Sequence, residues 1–319
     1  MSFFLIWLVT LATTLGSSPA AAHGASHTDA PGWNSWFTDP AVAVVIGIAA
    51  ALYLGGLARM LSRRPARWSV SRWRVLSFAG ALGVIGLALL SPIDAFAEKF
   101  FSVHMVQHLM LVLLAAPLIA WSNAHLVYLW LLPLHARRRT GRAIAGIPGV
   151  KYAAHANVTA WVACAAFVGS LWFWHAPATY NWALAHQWGH ANEHFVLLAT
   201  GTAFWRVVMT SGERRLSPGM MILMVSLVGI QGSFLAALIT FAPRPLYAAY
   251  AANSIDDQAL GGVLMCIPAS FLYLGSTIWA LSRMLSGDKL RAATSASPPT
   301  RSQRMNASPA TLGGEGARR

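Results

Sequence analysis

Residues 103–122 read VHMVQHLMLVLLAAPLIAWS. The stretch holds no Asp, Glu, Lys or Arg, and its length matches the ~20 residues with which a helix crosses the hydrocarbon core of a bilayer. Lipid offers no partner for backbone N–H and C=O groups, so such a span must close its own hydrogen bonds as a helix. Outward from it, comparable apolar spans recur at residues 41–62, 73–92, 156–175, 192–210, 218–241 and 259–283. The sequence therefore predicts an all-α membrane protein, a seven-transmembrane-helix bundle over residues 41–285. The apolar stretch from His125 to Leu134 is too short to span, so it either lengthens the third helix or lies along the interface.

Composition agrees. Of 319 residues, 56% are hydrophobic and 10% charged, with a mean hydropathy of +0.53, whereas about a quarter of a soluble domain is charged. The formal net charge of +13 in a soluble protein would point to nucleic acid. Here the basic residues alternate with apolar spans and form no aromatic-interleaved patch, so nucleic acid is not expected as a partner and membrane lipid is. They also set the orientation, because cytoplasmic loops collect Lys and Arg. One side gathers Arg59, Arg63, Arg64, Arg67, Arg72 and Arg74, then Arg137, Arg138, Arg139, Arg142 and Lys151, then Arg206, Arg214 and Arg215, and the C-terminal basic residues. Only Lys99 and Arg244 fall opposite. This places the N-terminus outside and the C-terminus in the cytoplasm of a bacterial inner membrane.

The ends carry separate expectations. Residues 1–22 read as a signal peptide, with an apolar stretch from Phe3 to Leu15 and small residues Ala20, Ala21 and Ala22 before a cut at His23. Residues 23–40 form an exposed polar arm, whose new α-amine, His23 and His27 are candidate Cu(II) ligands. Residues 286–319, rich in Ser, Ala, Pro and Arg, predict a disordered basic cytoplasmic tail. Cys164 and Cys266 both lie in apolar spans and form no Cys-x-x-Cys pair, which argues against a thioredoxin-like site.

Histidine is unevenly placed. Of 11 histidines, eight map to the outer side. His104 and His108 open the third span four residues apart, so they share one helix face about one turn apart. His186, His190 and His194 repeat the same interval at the start of the fifth span, and His175 ends the fourth. Ionisable residues at membrane depth are rare and mark function. Imidazole suits copper, zinc and iron, and a thioether favours Cu(I). Met105 is a further candidate ligand, although it points about 100° away from His104 on an ideal helix. Glu193, beside His194, is placed to orient an imidazole, as metal-bound histidines commonly require. Elsewhere Gln231 bridges helices, one of Asp256 and Asp257 caps the seventh span, and Gly229, Gly232, Gly261 and Gly262 permit close packing. Trp172, Phe173 and Trp174 read as an interfacial belt. No Walker loop, Gly-x-Ser-x-Gly elbow or carboxylate pair supports hydrolysis or phosphoryl transfer, so no enzyme activity is expected.

Several of these residues resemble the CtaG family of caa-type cytochrome c oxidase assembly factors. They are His104-Met105-Val106-Gln107-His108 with Pro117, Trp174-His175-Ala176-Pro177 with Tyr180, and His190-Ala191-Asn192-Glu193-His194 leading to Trp205. Gln231-Gly232, Pro245-Leu246-Tyr247 and Asp257-Gln258 with Gly261-Gly262 continue the match, over roughly residues 40 to 285. Met265-Cys266 departs from it, standing where the family carries Met-Trp. The resemblance implies a seven-helix bundle that supports oxidase maturation by handling copper at the outer face, with cytochrome c oxidase subunits as partners.

Two other functions compete. A bis-histidine haem b electron carrier needs the same residue type at the same depth, but not four outward histidines with a fifth nearby. A copper transporter needs polar residues through the bilayer, and beyond Gln231 the mid-membrane is poor in them.

Overall fold

The computed structural model describes residues 33, 35, 36, 39–63, 70–146, 156–209 and 216–295. The expected leader, His23 and His27, and the tail beyond residue 295 lie outside the described residues. Among the described residues the chain is helical and contains no strand. The elements are α1 (Pro40–Arg63), α2 (Arg72–Leu89), α3 (Pro92–Ala97), α4 (Phe101–Leu109), a π-helical segment (Met110–Ala115) and α5 (Ala116–Ser122). They continue with α6 (Ala124–Leu129), α7 (Leu134–Gly146), α8 (Ala156–His175), α9 (Pro177–Ala185), α10 (Gln187–Met209), α11 (Pro218–Thr240), a 3-10 turn (Ala248–Tyr250) and α12 (Ile255–Ser295).

A helix lies over each of the seven apolar spans in the sequence. Six are long and apolar enough to cross a membrane: Pro40–Ser62, Arg72–Leu89, Phe101–Ser122, Asn157–His175, Pro218–Thr240 and Ile255–Ser286. The chain is a multi-pass membrane protein. α10 has the length, 23 residues, but not the hydropathy, because its first turns carry Gln187, His190, Asn192, Glu193 and His194. The outward faces are apolar. Phe271 and Ile230 are 72% and 71% exposed, a disposition that suits lipid rather than water.

The continuous span Phe101–Ser122 is central. In its most apolar window 61% of the residues are buried inside the protein, against 11% for Pro40–Ser62. α4, α8, α10, α11 and α12 enclose the main core, in which Phe101, Phe167, Leu197, Trp205 and Met221 are buried. A smaller core of Tyr53, Phe78, Val127 and Tyr128 joins α1 and α2 to α6. Asn123 adopts φ 51°, which stops α5. The stretch beginning at His125 therefore does not lengthen the third span; it starts α6, packed on α1.

The π segment has a local cause. Pro117 lacks an amide hydrogen and its ring crowds the carbonyl four residues back, and a wider turn relieves that conflict. The Ala116 amide reaches the carbonyl of Leu111, five residues earlier. The Val112 carbonyl within the segment accepts from Trp205 Nε1 at 3.1 Å.

Several sequence expectations need correction. Gly261 and Gly262 do permit close approach: a Cβ on Gly262 would lie 2.8 Å from the Ala236 carbonyl oxygen, and one on Gly261 would run into the Phe101 ring. Gly232 meets nothing within 4 Å, so packing does not require it. Trp174 is buried and Trp172 donates to Gln231 Oε1 at 2.6 Å, which joins α8 to α11; only Phe173 faces outward. Asp257 caps a different helix from its own, as described below. α12 runs to Ser295, ten residues past the point where the last span was expected to give way to the tail.

Candidate metal centre

α4 begins without a capping side chain of its own, since its N-cap is Phe100. Asp257, at the start of α12, supplies the cap from across the bundle. Its carboxylate accepts from the Phe101 amide at 2.8 Å, the Ser102 amide at 3.3 Å and the Ser102 hydroxyl. A carboxylate at a helix N-terminus satisfies otherwise orphaned donors and complements the helix dipole. Gln107, fully buried, donates to the Ala88 carbonyl at 2.9 Å and to Asp94 Oδ1 at 2.7 Å. The first two turns of α4 are thus fastened on two sides, and these turns carry His104 and His108.

α10 brings His190, Glu193 and His194 alongside, and the last residue of α8 adds His175. His104 and His108 place their Nε2 atoms 2.9 Å apart. Ring centroids lie 5.1 Å apart for His104–His190, 5.1 Å for His108–His194, 4.4 Å for His190–His194 and 5.7 Å for His108–His175. Ligand atoms of His104, His190 and His194 all lie within 4.8 Å of one another, as do those of His104, His108 and Glu193. His104, His108, His175, Glu193 and His194 are buried; His190 is half-buried.

Hydrogen bonds fix which nitrogens face inward. Burial holds the Tyr250 phenol above its ordinary pKa, so it keeps its proton and donates to the Ala97 carbonyl at 2.7 Å. Its oxygen is left to accept from His104 Nδ1 at 3.0 Å, and the His104 lone pair then sits on Nε2. His175 Nδ1 similarly donates to the Leu171 carbonyl at 2.8 Å, leaving its Nε2 lone pair. That atom, His194 Nε2 and both Glu193 carboxylate oxygens are buried and accept no hydrogen bond. Glu193 Oε1 is 3.6 Å from His108 Nε2. Buried lone pairs and a buried carboxylate without donors carry a desolvation penalty that a cation would offset. Two imidazole nitrogens 2.9 Å apart also suit neighbouring ligands on one ion with bonds of ~2.0 Å. The residues present fit a metal ion.

A strap at residues 241–254 covers the end of the bundle next to these histidines. Tyr247 donates to the His175 carbonyl at 3.0 Å, the Ala248 amide to Asn181 Oδ1 at 2.8 Å, and Asn253 to the Lys99 carbonyl. Tyr247 also packs on Tyr180 and Phe101, with ring centroids 4.1 and 4.9 Å away.

Of the expected site residues, His104, His108, His175, His190, His194 and Glu193 come together. His186 stands apart: it is exposed, with Nδ1 2.8 Å from the Trp182 carbonyl and its ring against Trp182 and Trp188. Met105 is buried but turns toward α12. Tyr250 and the cross-bundle role of Asp257 are additions. Nothing in their local sequence announces them, because their partners on α4 lie 146 and 156 residues away.

The family model for the cytochrome c oxidase caa3 assembly factor (Caa3_CtaG) matches residues 51–286. The chain belongs to this family. The Caa3_CtaG match contains every residue of the centre, Tyr250 and Asp257. The chain is also 24% identical over 242 residues to the uncharacterized proteins Mb0105 of Mycobacterium bovis and MT0111 of Mycobacterium tuberculosis. The alignment covers 71% of this chain and 36% of each relative, so it spans about a third of the length of these proteins. No solved structure matches the chain.

Proposed function

We propose that this protein is a non-enzymatic, membrane-embedded assembly factor for cytochrome c oxidase that binds copper through His104, His108, His190 and His194. His175 contributes as a fifth imidazole and Glu193 sits among them. One observation carries the metal reading: five imidazoles from three helices converge around a buried carboxylate, with the Nε2 lone pairs of His104 and His175 directed by hydrogen bonds to backbone or tyrosine. Copper is the ion because imidazole ligands suit it and affinity for such sites peaks at Cu(II) in the first-row series. The family description supplies the process, and oxidase subunits are the partners it implies.

The distribution of basic residues supports seven spans, with α10 as the fifth, an outer N-terminus and a cytoplasmic C-terminus in a bacterial inner membrane. That arrangement puts the histidine centre at the outer face. α10 crosses despite its low hydropathy because its polar turns face the centre rather than lipid.

A haem b carrier is not favoured by the packing. His104 and His108 nitrogens lie 2.9 Å apart and neighbouring rings 4.4–5.7 Å apart, which leaves no width for a porphyrin between opposed imidazoles. An absorption spectrum of the purified protein with metal analysis tests the proposal. Stoichiometric copper without a Soret band supports it; a Soret band with haem iron overturns it.

A further inference from the structure

Below the histidine centre, toward the middle of the bundle, a small cleft of about 40 Å³ opens between α4, α8, α11 and α12. Most of its wall is hydrocarbon. His108 and His175 line it, so the cleft and the histidine centre share those two imidazoles. Three sulfur side chains also line it: Met105 from α4 and Met265 and Cys266 from α12.

Their placement follows from the helix packing. Met105 and His108 are three residues apart on α4 and so are neighbours on its surface. Met105 lies against α12 at Gly261, its Cγ 3.3 Å from where a Cβ there would stand. Met265 is four residues beyond Gly261, one turn along the same face. Met105 and Met265 are 1% and 9% exposed, while Cys266 is half-buried, its Sγ 3.9 Å from Ser270 Oγ. His175 Nε2 is buried and accepts no hydrogen bond.

We infer that this cleft is a second metal site, which takes one Cu(I) ion on the sulfur atoms of Met105, Met265 and Cys266 beside the histidine centre. The inference rests on the copper reading above. Thioether and thiol sulfur select Cu(I), whereas imidazole alone is less discriminating. A hydrocarbon-lined cleft penalises a dication far more than a monovalent ion. Binding through the Cys266 sulfur releases its proton, so the bound unit of Cu(I) and thiolate carries no net charge.

The test is anaerobic Cu(I) loading of the full chain in detergent, read by metal analysis and X-ray absorption. Wild type should bind two Cu(I) per chain and show a sulfur scatterer at about 2.3 Å, a distance typical of metal–thiolate bonds. Met265→Leu/Cys266→Ala, which holds core volume nearly constant, should bind one and lose the sulfur signal. His104→Ala/His194→Ala should keep the sulfur-bound ion. A wild-type spectrum with nitrogen scatterers alone overturns the cleft site and leaves the histidine centre standing. Wild type that binds no copper overturns both. The wild-type spectrum decides the matter even if the double variant fails to fold.

Discussion

The Tyr250 hydroxyl bridges the Ala97 carbonyl, 2.7 Å away, and His104 Nδ1, 3.0 Å away. One phenol thereby ties the strap at residues 241–254 to the start of α4 and sets the tautomer of a proposed ligand. Partners of this kind, one bond removed from the metal, commonly change affinity by 10–100-fold when lost.

Tyr250→Phe keeps the ring and deletes the bridge. His104 Nδ1 is then buried without a partner, at a cost of about 1–3 kcal/mol. Copper affinity, measured by competition with a chelator of known strength, should fall by ~10-fold or more. Unchanged affinity would show that the hydroxyl does not orient the ligand.

Asp257→Ala removes the acceptor for three donors at the start of α4. Loss of a capping side chain costs about 0.5–2 kcal/mol, and here it also frees the turn that carries His104. Thermal stability and copper affinity should both fall, with Asp257→Asn recovering part of each because its amide oxygen still accepts. If Asp257→Ala melts like wild type, the cross-bundle cap is dispensable.

Gly262→Ala would set a methyl 2.8 Å from the Ala236 carbonyl oxygen and against Thr240 Oγ1. α11 and α12 must then separate, and overpacking of this kind costs about 1–3 kcal/mol. Gly232→Ala, in open space, should match wild type in the same melting experiment. Equal melting of both variants would contradict the close α11–α12 contact.

Length and apolarity in the sequence revealed the six long apolar helices, because lipid demands both and both are local properties. Helical periodicity revealed which histidines converge, since His104 with His108 and His190 with His194 are pairs at helical spacing. The same periodicity misplaced His186. That residue precedes α10, with extended backbone angles of φ −133° and ψ 116°, so the four-residue interval to His190 no longer puts the two on one face. Asp257 was legible as a capping residue but not as the cap of α4, because which helix end it meets depends on how α12 packs. Tyr250 lies in a strap with no periodic signal. The π segment reflects a compromise between Pro117 and the Trp205 contact, and only the second of these partners is distant in sequence.

Orientation depends on charge alone. A reporter enzyme that works only outside the membrane should be active when fused after Asp94 and inactive after Arg139. The reverse pattern would move the histidine centre to the cytoplasmic face.

The most direct test of the central claim is Cu(II) bound per chain in wild type, His104→Ala and His194→Ala. Both side chains are buried, so thermal melting is measured alongside to establish that each variant remains folded. Each removes a ligand atom from the set His104, His190 and His194. Wild type should hold Cu(II) at the histidine centre, and both variants should lose at least ~10-fold in affinity. Undiminished Cu(II) binding in both variants would contradict the assignment of these histidines as the copper site.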